Sequence, residues 1–169
     1  LASAPAASDL LFRKATALER TGRFDESVAI FEALIASEPD HAPALNYLGY
    51  MWIDRGAGIE KGLALVRRAL KIDSNNGAYV DSLGWGLYRL GRFAEASEVL
   101  ERASRLLPND STVLEHLGDA LLAQVSRGAG GGDQREPALD QQACHVQHAR
   151  LVGTHRNTPR YLNATRPHR

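Results

Sequence analysis

The chain has 169 residues, in which 20 lysines and arginines balance 20 aspartates and glutamates. This balance excludes a strong electrostatic field toward nucleic acid or an anionic membrane, the single Cys144 excludes an internal disulfide framework, and no apolar run approaches the ~20 residues of a membrane span. Because the chain begins with Leu1 and not with Met, we expect a fragment or a processed form, and composition leaves the compartment open.

The first predicted element in chain order follows a short linker remnant at residues 1–7, and it is a helix over residues 9–20. Next, "TGRFDESVAIFEALIASEPD" at residues 21–40 has a Gly-Arg-Phe turn, apolar residues at helical spacing and a closing proline. The same pattern returns in "LGRFAEASEVLERASRLLPND" at residues 90–110. Gly22 and Gly91 lie 69 residues apart, which is two units of about 34 residues plus one, and this spacing predicts a further repeat between them.

The middle repeat is present. "ALNYLGYMWIDRGAGIEKGLALVRRALKIDSNN" has Leu48, Gly49 and Gly56 at the corresponding places, and a fourth unit begins with "STVLEHLGDALLA". We predict repeats near residues 8–41, 42–76 and 77–110 and a partial repeat at 111–124. The predicted helices span residues 9–20, 24–37, 43–55, 59–72, 78–90, 93–106 and 111–124.

One glycine recurs inside the first helix of a unit. Gly49, Gly84 and Gly118 occupy this place, and because glycine lacks a Cβ atom, we expect each to let the first helix approach its second helix closely.

Turn and capping residues recur between the helices. Gly22, Gly56 and Gly91 are predicted to end the first helices in the left-handed conformation, which glycine adopts without steric cost. Asn76 and Asp110 stand just before predicted helices and are candidate N-caps.

These positions resemble the tetratricopeptide repeat, a 34-residue helix-turn-helix with an aromatic residue or Leu, then Leu-Gly, then an aromatic residue, and later Ala, Phe and Pro. The resemblance covers residues 8 to about 124 and is weakest in the first unit, where Lys14 and Ala15 replace Leu-Gly. It implies an all-α fold: a right-handed superhelical solenoid of antiparallel helix pairs, with about three complete repeats, a partial fourth and an irregular C-terminal tail.

In the repeat family, the first helix of each unit lines a concave groove that binds partners. Carried over residue by residue, the groove positions give a set that is aromatic in the middle and acidic toward its C-terminal end. The set is Phe12, Asn46, Tyr50, Ile53, Asp81, Trp85, Tyr88, Arg89, Glu115 and Asp119. It implies a protein or peptide partner with apolar anchors and basic flanks. The alternative for Trp85 is packing against the first helix of the next unit.

Other functions fit the sequence less well. Family members that hold chaperone C-terminal carboxylates use Lys and Asn at two groove positions, and of these only Asn46 is present here. No nucleophile elbow, zinc-protease motif or pair of catalytic acids stands in a structural context, and His116 is predicted at a solvent-exposed place, so we predict neither catalysis nor a cofactor. The rival to a binding module is a structural or self-associating fragment, since an unfinished fourth repeat exposes the apolar face of its helix.

The second and third units, in "LNYLGYMWIDRG" and "NGAYVDSLGWGLYRLGRFAEASEVLERA", are most similar to bacterial envelope-associated members of the family. Some of these are outer-membrane lipoproteins that present substrates to a periplasmic protease. The resemblance implies an adaptor or scaffold in the bacterial periplasm or at a membrane. Similar repeats occur in cytoplasmic proteins, so the cytoplasm is the alternative compartment.

Residues 125–169 differ from the repeats in composition, because glutamine is absent before Gln124 and then frequent, and four of the six histidines follow. We consider a disordered segment, a frame-shifted sequence, or a small metal or nucleotide site. "CHVQH" offers Cys144, His145 and His148 with His155 nearby, but no second cysteine is paired with them. "GAGGGD" lacks the Lys-Ser/Thr of a phosphate loop, and "NAT" at Asn163 is too short a glycosylation pattern to be specific. Composition favours disorder or a frame shift, and we predict no metal site.

Overall fold

The computed structural model describes residues 4–129, and this range contains seven α-helices and no β-strand. The helices are α1 (Ala4–Arg20), α2 (Phe24–Ser37), α3 (Ala42–Asp54), α4 (Ile59–Ile72), α5 (Gly77–Arg89), α6 (Phe93–Leu106) and α7 (Ser111–Ala129). The helices α2 to α6 begin and end within one residue of their predicted bounds. The predicted all-α class is therefore confirmed.

The helices form hairpins, α1 with α2, α3 with α4 and α5 with α6, while α7 packs on α6 and α5. Apolar side chains are shared between neighbouring hairpins. Phe31 and Leu34 of α2 pack with Leu48 of α3, and Leu63 of α4 packs with Trp85 of α5. Each hairpin therefore buries its apolar face against the next one, which makes the core of the solenoid continuous.

The turns between paired helices have the predicted backbone conformation. Gly22, Gly56 and Gly91 have φ angles of +80°, +67° and +73°. The predicted caps are also present, since the Asn76 side chain accepts from the Ala78 amide at 3.2 Å, and Asp110 Oδ1 accepts from the first-turn amides of α7. Local residue chemistry therefore fixes where these helices begin and end.

Helix α1 begins earlier than predicted, at Ala4, so part of the expected linker is helical. Two features explain this: Pro5 occupies the first turn, where its missing N–H costs no hydrogen bond, and alanines with high helix propensity follow it. The buried Ser8 hydroxyl also donates to the Glu38 carboxylate at the end of α2.

Helix α7 ends later than predicted, at Ala129 and not near residue 124. Side chains at residue 124 and in the extension contact the third repeat: Ser97 Oγ donates to Gln124 Oε1 at 2.9 Å, and Arg127 donates to the Gly91 carbonyl at 3.1 Å. The Arg127 guanidinium also stands 4.9 Å above the Phe93 ring. These contacts hold the additional turn in place, although the repeat pattern is lost there. The predictions for the remaining tail, including Cys144, His145, His148, His155 and Asn163, lie outside the described residues.

The repeated glycines inside the first helices are not equivalent. A Cβ atom added to Gly49 would lie 2.7 Å from the Gly62 carbonyl oxygen, and one added to Gly84 would meet the Leu100 side chain. Close approach is thus confirmed for these two pairs. It is wrong for Gly118, which has nothing within 4 Å of an added Cβ atom, because α7 has no second helix within residues 4–129.

The uncovered side of α7 is apolar. Leu122 and Val125 are each 68% exposed, and Leu114 and Leu121 are about half exposed. With Gly118, these four residues form the α7 stripe, a row that follows the helical period along the solvent-facing side. A terminal repeat ordinarily presents a polar face to water. Among residues 4–129, no helix covers the α7 stripe, which is therefore a packing surface without a partner in this range.

Candidate partner-binding groove

The first helices of the repeats form one layer of the solenoid, because α3 contacts α5 and α5 contacts α7. Their side chains include the predicted groove positions. The structure buries five of the ten predicted residues, leaves three half-buried and exposes two. The buried residues are Phe12, Asn46, Ile53, Asp81 and Trp85, the half-buried ones Tyr50, Tyr88 and Arg89, and the exposed ones Glu115 and Asp119. That they bind a partner remains a prediction.

Phe12 lies apart from the other aromatic residues of the set. Its ring packs edge-on against Phe31 at 5.7 Å and against Tyr47 at 5.9 Å, and it stacks on His41 at 5.9 Å. These contacts fill the core between the first and second repeats. In this structure Phe12 is a packing residue, distant in the chain from the aromatic centre of the groove.

The aromatic centre of the groove lies where the second and third repeats meet. Ile53 and Trp85 are buried in one apolar cluster, and Tyr50 and Tyr88 pack against it. The structure thus brings together the middle members of the predicted set. Of the predicted groove positions in this cluster, Tyr50 and Tyr88 are the two that keep part of their surface in solvent.

Trp85 lies inside a stack of three rings. Its indole is parallel to the Tyr88 ring at 5.0 Å and to the His116 ring at 4.3 Å, with an interplanar angle of 13° in both cases. Arg89 caps this region, since its guanidinium stands 5.7 Å from the indole centroid and donates to the Asp54 carbonyl at 2.7 Å. In the structure, Trp85 packs against α7, the first helix of the next unit, which is the alternative to an exposed groove position.

His116 is buried, and its predicted solvent exposure is wrong. The side chain is 5% exposed, and its Nδ1 lies 3.0 and 3.2 Å from the two carboxylate oxygens of Asp81, which is 1% exposed. The helical period could have placed it correctly: Val113 and Ala120, three residues before and four after, are both buried, so His116 shares their face. The sequence gives no comparable signal for its pairing with Asp81, 35 residues away.

The environment of His116 favours its charged form. Burial lowers the pKa of the imidazole, but the hydrogen bond and charge of Asp81, with further attraction from Glu115 and Asp119, outweigh burial and raise the pKa above its usual value. A protonated imidazole donates a charge-assisted hydrogen bond to the buried carboxylate. Below the raised pKa of His116, the two side chains therefore form a buried ion pair that joins α5 to α7.

The described residues give no indication of metal binding or of a membrane span. Within residues 4–129, no group of three or more His, Cys, Asp or Glu side chains is arranged to hold a metal ion. Among the helices of that range, none combines the length and apolar character needed to cross a bilayer.

The acidic end of the groove differs from a carboxylate-binding site. In the last two units, Asp81, Trp85, Glu115 and Asp119 occupy the positions at which the resemblance implies Lys and Asn for carboxylate binding. Glu115 and Asp119 are exposed one helical turn apart on α7, so this end of the predicted groove carries two negative charges.

Comparison with known sequences gives a consistent family. A family model described as tetratricopeptide repeat matches residues 3–77 and 82–128. The TPR repeat-containing protein PA4667 of Pseudomonas aeruginosa is 34% identical over 111 residues, which is 66% of this chain and 19% of that protein. The chain thus spans about a fifth of the length of this relative.

Comparison with solved structures gives the same fold. The first TPR domain of human RPAP3 has a TM-score of 0.66 at 16% identity over 73% of this chain and 96% of that one. The first TPR of Spaghetti, bound to the HSP90 peptide SRMEEVD, has a TM-score of 0.64 at 16% identity, with coverages of 70% and 93%. An O-GlcNAc transferase from Thermobaculum terrenum has a TM-score of 0.65 at 25% identity, covering 72% of this chain and 23% of that one.

Proposed function

Because the chain belongs to the tetratricopeptide repeat family, we propose that it is a non-catalytic module that binds a peptide or protein segment in the groove formed by its first helices. The observation that carries this proposal is the arrangement of α3, α5 and α7. Half-buried Tyr50 and Tyr88 flank the aromatic cluster, and exposed Glu115 and Asp119 follow on the next helix. Aromatic side chains in such a setting are frequent binding anchors.

The charges indicate which peptides fit. The structural relative Spaghetti binds SRMEEVD, a peptide with three carboxylate side chains. In this chain Glu115 and Asp119 oppose such a ligand and attract a cationic one, because complementary charge favours association. We propose a segment with an apolar or aromatic anchor for the tyrosines and Lys or Arg for the acidic end. We further propose that the chain is part of an adaptor of the bacterial envelope, and this proposal rests only on the sequence resemblance of the second and third repeats.

The groove is tested with peptides selected from a random phage-displayed library on the full chain. Enriched peptides are expected to combine an apolar anchor with basic residues, and isothermal titration calorimetry should show at least ~10-fold weaker binding to Glu115→Lys/Asp119→Lys, because two attractive charges become repulsive. The matched control reverses two exposed acids of α6, Glu98→Lys/Glu101→Lys, and should bind as the wild type does. Absence of enriched peptides, or equal weakening in both variants, would contradict the proposal.

A second candidate function, self-association, is favoured by the α7 stripe. Leu122 and Val125 expose most of their apolar surface, and Gly118 leaves room for a helix to cross closely. Burying such a surface removes apolar area from water, which stabilises association by roughly 25 cal/mol per Å² before the cost of association is deducted.

Sedimentation velocity across a concentration series tests self-association. The wild-type chain is expected to form a larger species as concentration rises, and Leu122→Glu is expected to remain monomeric because it places a charge in the α7 stripe. Leu10 on α1 is also 68% exposed, so Leu10→Glu is a matched control that should associate like the wild type. A wild-type chain that stays monomeric at every concentration would exclude this function.

A further inference from the structure

Helix α7 is joined to the third repeat by one buried polar contact. Two of its side chains, Gln124 and Arg127, make partly buried or exposed hydrogen bonds near its C-terminal end. Nearer its N-terminal end, His116 meets Asp81 of α5 with both side chains buried. Of these contacts, only the His116–Asp81 pair has a member that titrates near neutral pH, because an unperturbed histidine has a pKa of about 6.5.

The charges around His116 all have the same sign. Asp81 faces it from α5, and Glu115 and Asp119 act on it from its own helix. Helix α6, which also packs against α7, contributes no charge to those that shift this imidazole, and the α5 cation Arg89 stands over the Trp85 ring. Protonation of His116 therefore adds a positive charge next to these three carboxylates, and deprotonation removes it.

The two protonation states of His116 differ in whether the Asp81 carboxylate has a charged partner. When His116 is charged, the buried carboxylate has an ionic partner at 3.0 Å. When His116 is neutral, the same carboxylate keeps at most a neutral donor in a buried place, where an uncompensated charge is costly. The ring of His116 also stacks on Trp85 at 4.3 Å, so any movement of α7 changes the packing of the groove centre.

We propose that the His116–Asp81 pair is a pH-sensitive contact that holds α7 against α5 and thereby keeps the aromatic centre and the acidic end of the groove in register. The contact is strongest in mildly acidic solution and weakens as the solution becomes alkaline. Its effect on partner binding rests on the function proposed above, whereas its effect on α7 requires no partner.

The direction of the pH dependence follows from the raised pKa of His116. In the unfolded segment the imidazole titrates near its ordinary pKa of about 6.5 and in the folded one at a higher pH. The stabilisation is fully present below about pH 6.5 and is lost as pH rises through the folded pKa. Within this window the opening equilibrium of α7 is expected to increase with pH, by at most about tenfold per pH unit because one proton is involved.

Hydrogen–deuterium exchange of the full chain, followed by mass spectrometry from pH 6 to 9 and corrected for the intrinsic exchange rate, tests the proposal. Fragments from residues 111–129 should lose protection as pH rises, while fragments from residues 24–37 should not. His116→Asn places an amide nitrogen close to the position of Nδ1 but cannot titrate, so its protection should be independent of pH. His41→Asn is the matched control: it keeps a side-chain acceptor at the N-cap of α3 and should retain the wild-type pH dependence.

Three results would overturn the proposal: a pH-independent α7 in the wild type, the same pH dependence in His116→Asn, or an equal loss of protection in residues 24–37. Asp81→Asn serves as a second variant that removes the carboxylate charge, and circular dichroism establishes that each variant is helical. If α7 shows the expected pH dependence but the peptide library yields no ligand, the proposed function fails and the pH-sensitive contact stands.

Discussion

Replacing Gly49 with alanine is expected to lower the free energy of unfolding by about 1–3 kcal/mol, the usual cost of overpacking a close contact. The added Cβ atom would lie 2.7 Å from the Gly62 carbonyl oxygen and 2.8 Å from a Val66 methyl carbon. Because the Gly62 carbonyl oxygen belongs to the backbone of α4, the clash can be relieved only if α3 and α4 move apart. Urea denaturation followed by circular dichroism measures the change.

The control is the same substitution at the same repeat position in the last unit. An added Cβ atom at Gly118 meets nothing, so Gly118→Ala is expected to raise the free energy of unfolding by up to about 1 kcal/mol through helix propensity alone. Opposite signs for Gly49→Ala and Gly118→Ala would show that the packing of a second helix decides the effect. A stabilised Gly49→Ala variant would show that α3 and α4, the two helices of the second repeat, are farther apart than in the structure.

Removing the imidazole of His116 is expected to have the larger effect, a loss of about 3–5 kcal/mol in the free energy of unfolding near pH 6, because His116→Ala leaves the Asp81 carboxylate buried without its ionic partner. The double variant Asp81→Ala/His116→Ala removes the charge as well and should be less destabilised than the sum of the two single variants. Thermal and urea denaturation of the four proteins give the coupling energy.

His41 is the control for loss of an imidazole. Its Nδ1 accepts from the Ala44 amide at 3.2 Å at the start of α3, so His41→Ala removes a cap and should cost about 1 kcal/mol. Additive effects at Asp81 and His116 would mean that the two side chains do not interact energetically, despite their distance of 3.0 Å.

The helices could be predicted closely because the signals that set their ends are local. A glycine ends a first helix through its own positive φ angle, which requires no distant contact. The side chains of Asn76 and Asp110 likewise accept hydrogen bonds from backbone amides only two or three residues away. The repeat spacing then locates the helices between these points. The same signals are missing at the two ends of the domain, which is where the predicted bounds of α1 and α7 differ from the structure.

The groove was harder to predict because its surface depends on contacts between repeats. A single repeat shows which positions lie on the inner face of a first helix, but not whether the next first helix covers them. Trp85 is covered because α7 brings His116 against its ring, and Gly118 is open because the described residues contain no second helix to pair with α7. Both results depend on α7, which belongs to the partial fourth repeat, where a pattern taken from complete repeats applies least well.

The helix contacts also bear on how rapidly the chain acquires its structure. Each substantial contact joins helices that are one or two positions apart along the chain, and none links α1 or α2 to α6 or α7. Within residues 4–129 the helices therefore close short loops, and proteins with such low contact order fold in microseconds to milliseconds. Folding can begin at any hairpin and propagate in both directions, with α7, which is covered on one side only, as the expected site of fraying.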